Sequence, residues 1–324
     1  MTVAPASPAA SGTPPPVPTR DVPGAPRTGP LLYVKLALCT LFWGGTFIAG
    51  KVLAQAMPHF TAAAGRFAVA SACLLLVAWK LEGGLPRLDR RQAAATALLG
   101  VTGIFLYNVF FLAALGRLPA SRTALIIALN PVVTALAMAL VIREPLSASR
   151  WMGIAVALVG AAIVITRGDA TAALSQSVGT GELLMFGGVC AWAVYTIVGR
   201  RALEGMSPIA ATTYASLWGG AMLAACALTE LSRLEAAMFT DWRNLAAIGY
   251  LGFFGTVLGF IWYYEGVRAL GPARTAVFNN LVPVFGVLLG ALLLGEPILV
   301  SMLVGGALVI AGVTLTNRTA RTRA

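Results

Sequence analysis

The sequence predicts an all-α polytopic membrane protein: ten transmembrane helices arranged as two inverted five-helix repeats. Three observations predict it: apolar residues gathered in long blocks, basic residues concentrated in alternate loops, and a second half that repeats the first. Of the 324 residues, 58% are hydrophobic and only 11% charged, with a mean hydropathy of +0.83. A soluble domain needs about 25% charged residues to cover its surface. The apolar residues run on without a 2- or 3.6-residue alternation, as in helices that face lipid. One span takes about 20 apolar residues, so ten would use roughly 200.

The elements follow in order. Residues 1–30 are mostly Pro, Ala, Ser, Thr and Gly, which predicts a disordered cytoplasmic tail with no basic-then-apolar leader. Apolar blocks then run at 32–54, 60–79, 93–116, 121–142 and 151–166, giving a first repeat over 31–167. A linker over 168–181 leads to blocks at 182–199, 208–229, 244–268, 273–295 and 298–316, the second repeat spanning 182–316. A basic cytoplasmic tail, 317–324, closes the chain. The fifth and tenth blocks are short, so they extend by a turn or cross with little tilt.

Loop charge orients the bundle. With a cytoplasmic N-terminus, the inner segments hold sixteen basic residues, among them Lys35, Lys80, Arg87, Arg90, Arg91, Arg143 and Arg150. The outer segments hold six: Lys51, Arg117, Arg122, Arg167, Arg233 and Arg243. That bias places both termini in the cytoplasm.

A shift of 152 aligns 99–160 with 251–312 without a gap, setting Arg122-Thr123-Ala124 on Arg274-Thr275-Ala276 and Pro131 on Pro283. Glu144-Pro145 falls on Glu296-Pro297, Gly153 on Gly305 and Gly160 on Gly312; a shift of 149 sets Trp43 on Trp192 and Lys51 on Arg200. Five helices per copy is an odd number, so the second copy is turned over. Arg143 and Arg150 accordingly become Gly295 and Met302 in the loop expected outside. Units in opposite orientation are characteristic of secondary transporters.

Other classes fit poorly. The net charge of +11 is scattered singly through loops, with no basic stripe, so no nucleic acid is expected. Cys39, Cys73, Cys190 and Cys226 lie in apolar blocks and make no disulfide framework or metal pair. With one histidine, His59, and few intramembrane acids, a membrane-embedded enzyme lacks both a metal cluster and an activated nucleophile. No metal or cofactor is expected. A receptor reading leaves the repeat unexplained.

The first helix reads Phe42-Trp43-Gly44-Gly45-Thr46-Phe47 with Lys51 one turn on. The repeats end in Arg143-Glu144-Pro145 and Gly295-Glu296-Pro297, each with a glycine nine residues after the Glu. At these residues the chain resembles the drug/metabolite transporter superfamily, in particular its EamA-type members with two repeats. The likeness covers nearly everything from Leu32 to Leu315. It implies a ten-helix bundle with a central path in the cytoplasmic (inner) membrane, moving small metabolites, often outward. The second copy keeps Trp192 but lacks the Gly-Gly.

Several residues are candidates for that path. Pro131 and Pro283 interrupt their helices and free the carbonyls of Ile127 and Asn279. Asn130, Asn279 and Asn280 flank the breaks, and their repeat mates are Val282, Ile127 and Ala128. They are thus dispensable to the shared scaffold, although asparagine also joins helices. Trp43 and Trp192 lie away from the interfacial belts and suit a cavity wall or plain packing; Thr46 and Tyr195 lie beside them. Tyr107, Asn108, Tyr214 and Trp262-Tyr263-Tyr264 add aromatic-polar surface. Arg66 lies in the second helix, where a central charge costs about 2.5–3.5 kcal/mol, so it should face the interior or an outer vestibule. Glu265, read as the single intramembrane acid, is a candidate proton carrier or an ion pair with Arg268. The GxxxG pairs Gly255/Gly259 and Gly286/Gly290 predict close packing, and 152–165 and 302–315 predict scaffold.

The expected partners are membrane lipid and a small-molecule substrate, with a homodimer left open. The expected activity is export or exchange of small, partly apolar metabolites such as amino acids by alternating access. Import or exchange of another anionic or drug-like metabolite stands as the alternative.

Overall fold

The computed structural model describes residues 29–141, 143, 146–168, 179–202, 206–270 and 272–318. The expected N-terminal tail to residue 28, most of the linker, the Glu144-Pro145 motif and the tail beyond 318 lie outside the described residues. Every regular element among those described is helical. Among the described residues, nine stretches are long and apolar enough to cross a bilayer, and a further apolar helix, Val300–Thr316, is shorter. This is the layout of a polytopic membrane protein. Large apolar side chains such as Leu76, Trp79, Leu140 and Leu292 point outward, an arrangement suited to lipid.

Local chemistry sets the helix limits. Helix α1, Pro30–Ala56, starts on a proline whose missing N–H is no loss there. It stops at Met57, which precedes Pro58 and is extended at φ −138°, ψ 154°. Helix α2, His59–Glu82, ends at Gly83 in the left-handed region, φ 73°. Asp89 opens α3, Arg90–Leu99, through a capping box with Gln92. A π-helical segment, Gly100–Leu106, then joins α3 to α4, Tyr107–Leu115.

Next come α5, Ala120–Ile127, α6, Asn130–Val141, and α7, Ala148–Ile165. Helix α8 spans Thr180–Ala202 and α9 Pro208–Ala227, the latter capped by Ser207 and extended by a 3-10 turn, Leu228–Arg233. The short α10, Ala236–Thr240, leads to α11, Trp242–Gly249. A second π segment, Tyr250–Leu258, continues into α12, Gly259–Leu270. Helices α13, Pro272–Phe278, α14, Leu281–Leu294, and α15, Val300–Arg318, complete the bundle.

The central core draws Phe47 and Leu53 from α1, Phe67 from α2, Phe111 and Leu115 from α4, and Met185 from α8. Helices α7 and α15 form a separate glycine-faced pair. A Cβ on Gly160 would stand 2.6 Å from the Gly305 carbonyl, and one on Gly312 would stand 2.5 Å from that of Gly153. All four are repeat-matched glycines, Gly153 with Gly305 and Gly160 with Gly312, each meeting a member of the other pair, and only hydrogen fits between the backbones.

The two π segments also correspond at the 152-residue shift, Gly100 with Gly252. A Cβ on Gly252 would lie 2.9 Å from the Arg66 carbonyl, and one on Gly100 would lie 2.9 Å from the Ala215 carbonyl. The hydroxyl of Thr256 donates to the carbonyl of Leu251, five residues back, at 3.0 Å. Hydrophobic periodicity cannot separate such a register from an ordinary helix, so these segments had no sequence signal.

Candidate functional site

Helices α1, α4, α8 and α12 contribute aromatic rings three or four residues apart on a helical face, and these gather in two groups, together called the aromatic lane. On one side Trp43 lies 5.3 Å from Tyr263 and 5.9 Å from Phe260, centroid to centroid. On the other, Trp192 lies 5.2 Å from Tyr107 and 5.1 Å from Tyr195. Phe111 stacks on Tyr107 at 5.7 Å and meets Phe47 edge-on at 5.7 Å. Tyr264 lies 6.1 Å from Phe260 and 6.2 Å from Tyr263, extending the first group along α12. The indole of Trp43 donates to the Gly255 carbonyl, 3.0 Å away in the second π segment. The rings give the lane apolar walls, with hydroxyls and amides at its margins.

Arg66 enters from α2 and is 9% exposed. Its Nη1 donates to Oδ1 of Asn108 at 2.8 Å, its Nη2 reaches Oγ1 of Thr256 at 3.4 Å, and its Nε is buried without a partner. Asn108 in turn donates to the Ile104 carbonyl at 2.7 Å. The guanidinium lies near Tyr107 and 5.1 Å from the Phe67 centroid. Arg66 and Asn108 are thus brought together, and Tyr107 ties them to the lane.

The helix pairs α5–α6 and α13–α14 are each interrupted by a two-residue turn, at 128–129 and 279–280. Pro131 and Pro283 sit just inside the helix that follows each turn. The Asn279 carbonyl accepts the Val282 N–H at 3.1 Å in a tight three-residue pattern, which satisfies the group the proline would otherwise strand. Asn279 reaches Tyr263 in the lane, and its Oδ1 is buried and unpartnered, as is Oδ1 of Asn130. Asn280 points elsewhere: its Nδ2 donates to Oγ1 of Thr314 at 3.2 Å, joining the turn to α15. Thr46 is packed between helices, its hydroxyl donating to the Trp43 carbonyl at 2.6 Å and its methyl facing Gly255. Tyr214 donates to the Pro86 carbonyl at 2.7 Å, holding a loop.

The structure gives Glu265 a partner and corrects two other readings of charge. Glu265 pairs with Lys35 of α1, which reaches both carboxylate oxygens at 2.9 Å; the Arg268 side chain lies outside the described residues. Packing of α12 on α1 brings Lys35 to it, a contact across 230 residues of sequence. Glu265 is also not the only acid in the bundle. Glu182, in the first turn of α8, forms a buried ion pair with Arg122 at 2.9 Å, and Arg122 also donates to the Ile165 carbonyl. Arg122 therefore acts as a buried structural cation and not as a solvated loop charge.

Further polar contacts gather at the Met57 end of the bundle. Glu230 accepts from the amides of Phe60 and Thr61, and Glu296 from those of Ala120 and Ser121. Lys51 covers the far end of α4 by donating to the carbonyls of Leu115 and Leu118 at 2.8 and 2.9 Å. A cavity of about 170 Å3 opens here beside Ser121, Arg122, Arg167 and Glu296. The sequence held one hint of these contacts: Pro58 and Pro119 precede their helices without a side chain able to cap them. Among the described residues, no three His, Cys, Asp or Glu side chains converge to hold a metal.

Comparison with known proteins agrees with this geometry. The profile of the EamA-like transporter family matches residues 31–166 and, a second time, 179–318. The uncharacterized transporter YyaM of Bacillus subtilis is 31% identical over 87% of this chain and 92% of its own. A probable terminal-alkyne amino-acid exporter of Streptantibioticus cattleyicolor is 28% identical over 87% and 92% of the two chains. A probable amino-acid metabolite efflux pump of Salmonella typhimurium is 26% identical over 85% and 91%. A crystal structure with 21% identity superposes with a TM-score of 0.59 over 90% of this chain and 98% of the other, a likeness of fold.

Proposed function

The chain belongs to the EamA-like transporter family, and from that premise we propose that it exports or exchanges amino acids or closely related metabolites through the aromatic lane. It is a membrane transporter by family and by its apolar helices. The observation that carries the substrate class is the lane itself, Trp43–Tyr263 on one side and Tyr107–Trp192–Tyr195 on the other. Its walls suit an apolar side chain, and Asn279 and Arg66 suit polar groups. Relatives named for amino-acid export and amino-acid metabolite efflux support the same class.

In this proposal the ten helices form two five-helix units in opposite orientation, with both termini cytoplasmic. The gap-free repeat at 152 residues and the paired approaches of Gly252 to Arg66 and Gly100 to Ala215 support that layout. Transport proceeds by alternating access, one unit rocking against the other around the lane. The glycine-faced α7–α15 pair serves as the fixed scaffold. The buried contacts of Glu182, Glu230 and Glu296 close the outer end. At the inner end the Lys35–Glu265 pair is partly exposed, its side chains 27% and 39% accessible.

Uptake of radiolabelled amino acids into proteoliposomes tests the activity, with resistance of overexpressing cells to toxic amino-acid analogues as the cellular counterpart. Correctly inserted protein that moves no amino acid and confers no resistance would refute the substrate class. Tags showing that loops 143–147 and 295–299 emerge on the same side would refute the inverted layout.

A further inference from the structure

We infer that Arg66 is the anion-binding residue of the transport path, taking the carboxylate of the transported metabolite as the counter-charge that the described residues do not provide. This rests on the transporter reading above and names the group by which the substrate is held. A guanidinium stays protonated at any physiological pH, and a buried charge needs an opposite charge or a full set of hydrogen bonds. Arg66 has neither: its two partners, Asn108 and Thr256, are neutral, the second is 3.4 Å away, and its buried Nε–H is unpartnered.

Among the described residues, Lys35, Arg122 and Lys51 each meet an opposite charge or carbonyls, although Nε of Arg122 is also buried without a partner. Lys35 has Glu265, Arg122 has Glu182, and Lys51 has the carbonyls that end α4. The carboxylates are committed too, since Glu230 and Glu296 each cover a helix N-terminus. Among the described residues, none pairs with Arg66. At 9% exposure, Arg66 does not reach water or headgroups by snorkelling.

Its position suits a ligand. Asn108 lies just beyond the first π segment and Thr256 lies within the second, and such insertions recur where helices serve binding. The Thr256 hydroxyl already donates to Leu251, so its long contact with Arg66 is readily yielded to a carboxylate that fits the guanidinium fork. Tyr107 precedes Asn108, the partner of the guanidinium, and begins the lane toward Trp192 and Tyr195. An anionic head on Arg66 thus leaves an apolar body against those rings.

The repeat separates this trio from the scaffold. Shifts of 149 and 152 set Arg66 on Ala215, Asn108 on Phe260 and Thr256 on Ile104. The backbone approaches at these positions occur in both halves, yet the polar side chains occur in one. Polar groups added to a shared scaffold in a single half point to the ligand and not to the fold.

The test is the melting temperature of purified protein in nanodiscs, titrated with each of the twenty amino acids and the corresponding carboxamides. At least one amino acid should stabilise the wild type while its carboxamide does not, and Arg66→Gln should raise the half-maximal concentration about tenfold or more, the loss of one charge-assisted contact. An amino acid and its carboxamide acting alike, an Arg66→Gln response equal to wild type, or no stabilisation by any amino acid would overturn the assignment. Should Arg66→Gln fail to fold, Arg66→Lys decides: its point charge lacks the fork, so an unchanged half-maximal concentration overturns the proposal. Proteoliposome uptake judges the transport reading separately, because flux that persists in a well-folded Arg66→Gln protein refutes only the anion site.

Discussion

The carboxylate of Glu296 binds Ser121 twice, accepting its amide at 2.9 Å and its hydroxyl at 2.6 Å. The two residues are 175 positions apart, yet this contact supplies the cap that α5 lacks, because the N-cap residue is Pro119. Glu230 does the same for α2, which starts after Pro58, through Thr61 at 2.8 and 2.9 Å. A helix N-terminus leaves amides unsatisfied and carries partial positive charge, so a carboxylate from another helix serves in place of a cap. Both contacts tie distant helices at the Met57 end.

Replacing either glutamate therefore removes a cap and an interhelical tie together. Glu296→Ala should destabilise the protein by about 1–2 kcal/mol, the usual loss for an N-cap, with Glu296→Gln milder. The check is the melting temperature in detergent. An unchanged value for Glu296→Ala would mean that water caps α5 equally well.

The Arg122–Glu182 pair predicts a larger and non-additive effect. Both side chains are about nine-tenths buried, 10% and 7% accessible. Arg122→Gln alone strands the Glu182 carboxylate and should cost about 3–5 kcal/mol. Adding Glu182→Gln removes the stranded charge and should recover a large part of that. A double-mutant cycle in chemical denaturation reads the coupling, and additive losses would show that the two groups act independently.

Close approach of α7 and α15 gives a third prediction. The carbonyl of Gly305 occupies the space where a Cβ on Gly160 would stand, at 2.6 Å. Gly160→Ala should cost about 1–3 kcal/mol by overpacking, and Gly160→Leu should prevent accumulation in the membrane. Yields of a fluorescent fusion measure this directly. Gly29, where an added Cβ meets nothing within 4 Å, is the control and should tolerate alanine.

Adjacent asparagines have different surroundings. Asn279 reaches Tyr263 and keeps an unpartnered oxygen, whereas Asn280 bonds Thr314. Asn279→Ala should lower amino-acid flux about tenfold at normal expression, the scale of one lost polar contact. Asn280→Ala should chiefly lower the melting temperature. Equal flux losses in the two variants would show that the turn acts as a unit.

Much of this architecture was legible in the sequence because burial in lipid leaves a coarse signal. Apolar blocks of spanning length, the repeat that sets Gly153 on Gly305, and the paired Trp43 and Trp192 can all be read along the chain. What could not be read depends on contact between distant segments. Lys35 meets Glu265 across 230 residues, and Arg66 meets Asn108 across 42. The i, i+3 spacing of Glu265 and Arg268, by contrast, can be seen locally. The π segments escaped for another reason: a shift from four- to five-residue bonding leaves the apolar pattern intact. A residue's surroundings, such as the lane at Trp192, appear only once helices pack.

The Lys35–Glu265 pair gives the last prediction, and exposure decides its size. With 27% and 39% of the two side chains accessible, water screens the attraction, so Glu265→Gln should change stability by less than about 1 kcal/mol. Its effect on transport is the informative one. If Glu265 carries a proton, Glu265→Gln abolishes the response of uptake to an imposed pH gradient while amino-acid counterflow continues. If the pair only holds α12 against α1, the charge-swapped variant Lys35→Glu/Glu265→Lys restores wild-type flux and keeps the same response to the gradient. The second outcome is expected, because an ammonium from another helix holds both carboxylate oxygens at 2.9 Å, the geometry of a tie between α1 and α12. Loss of gradient response in Glu265→Gln, without recovery in the swap, would assign the coupling proton to this carboxylate.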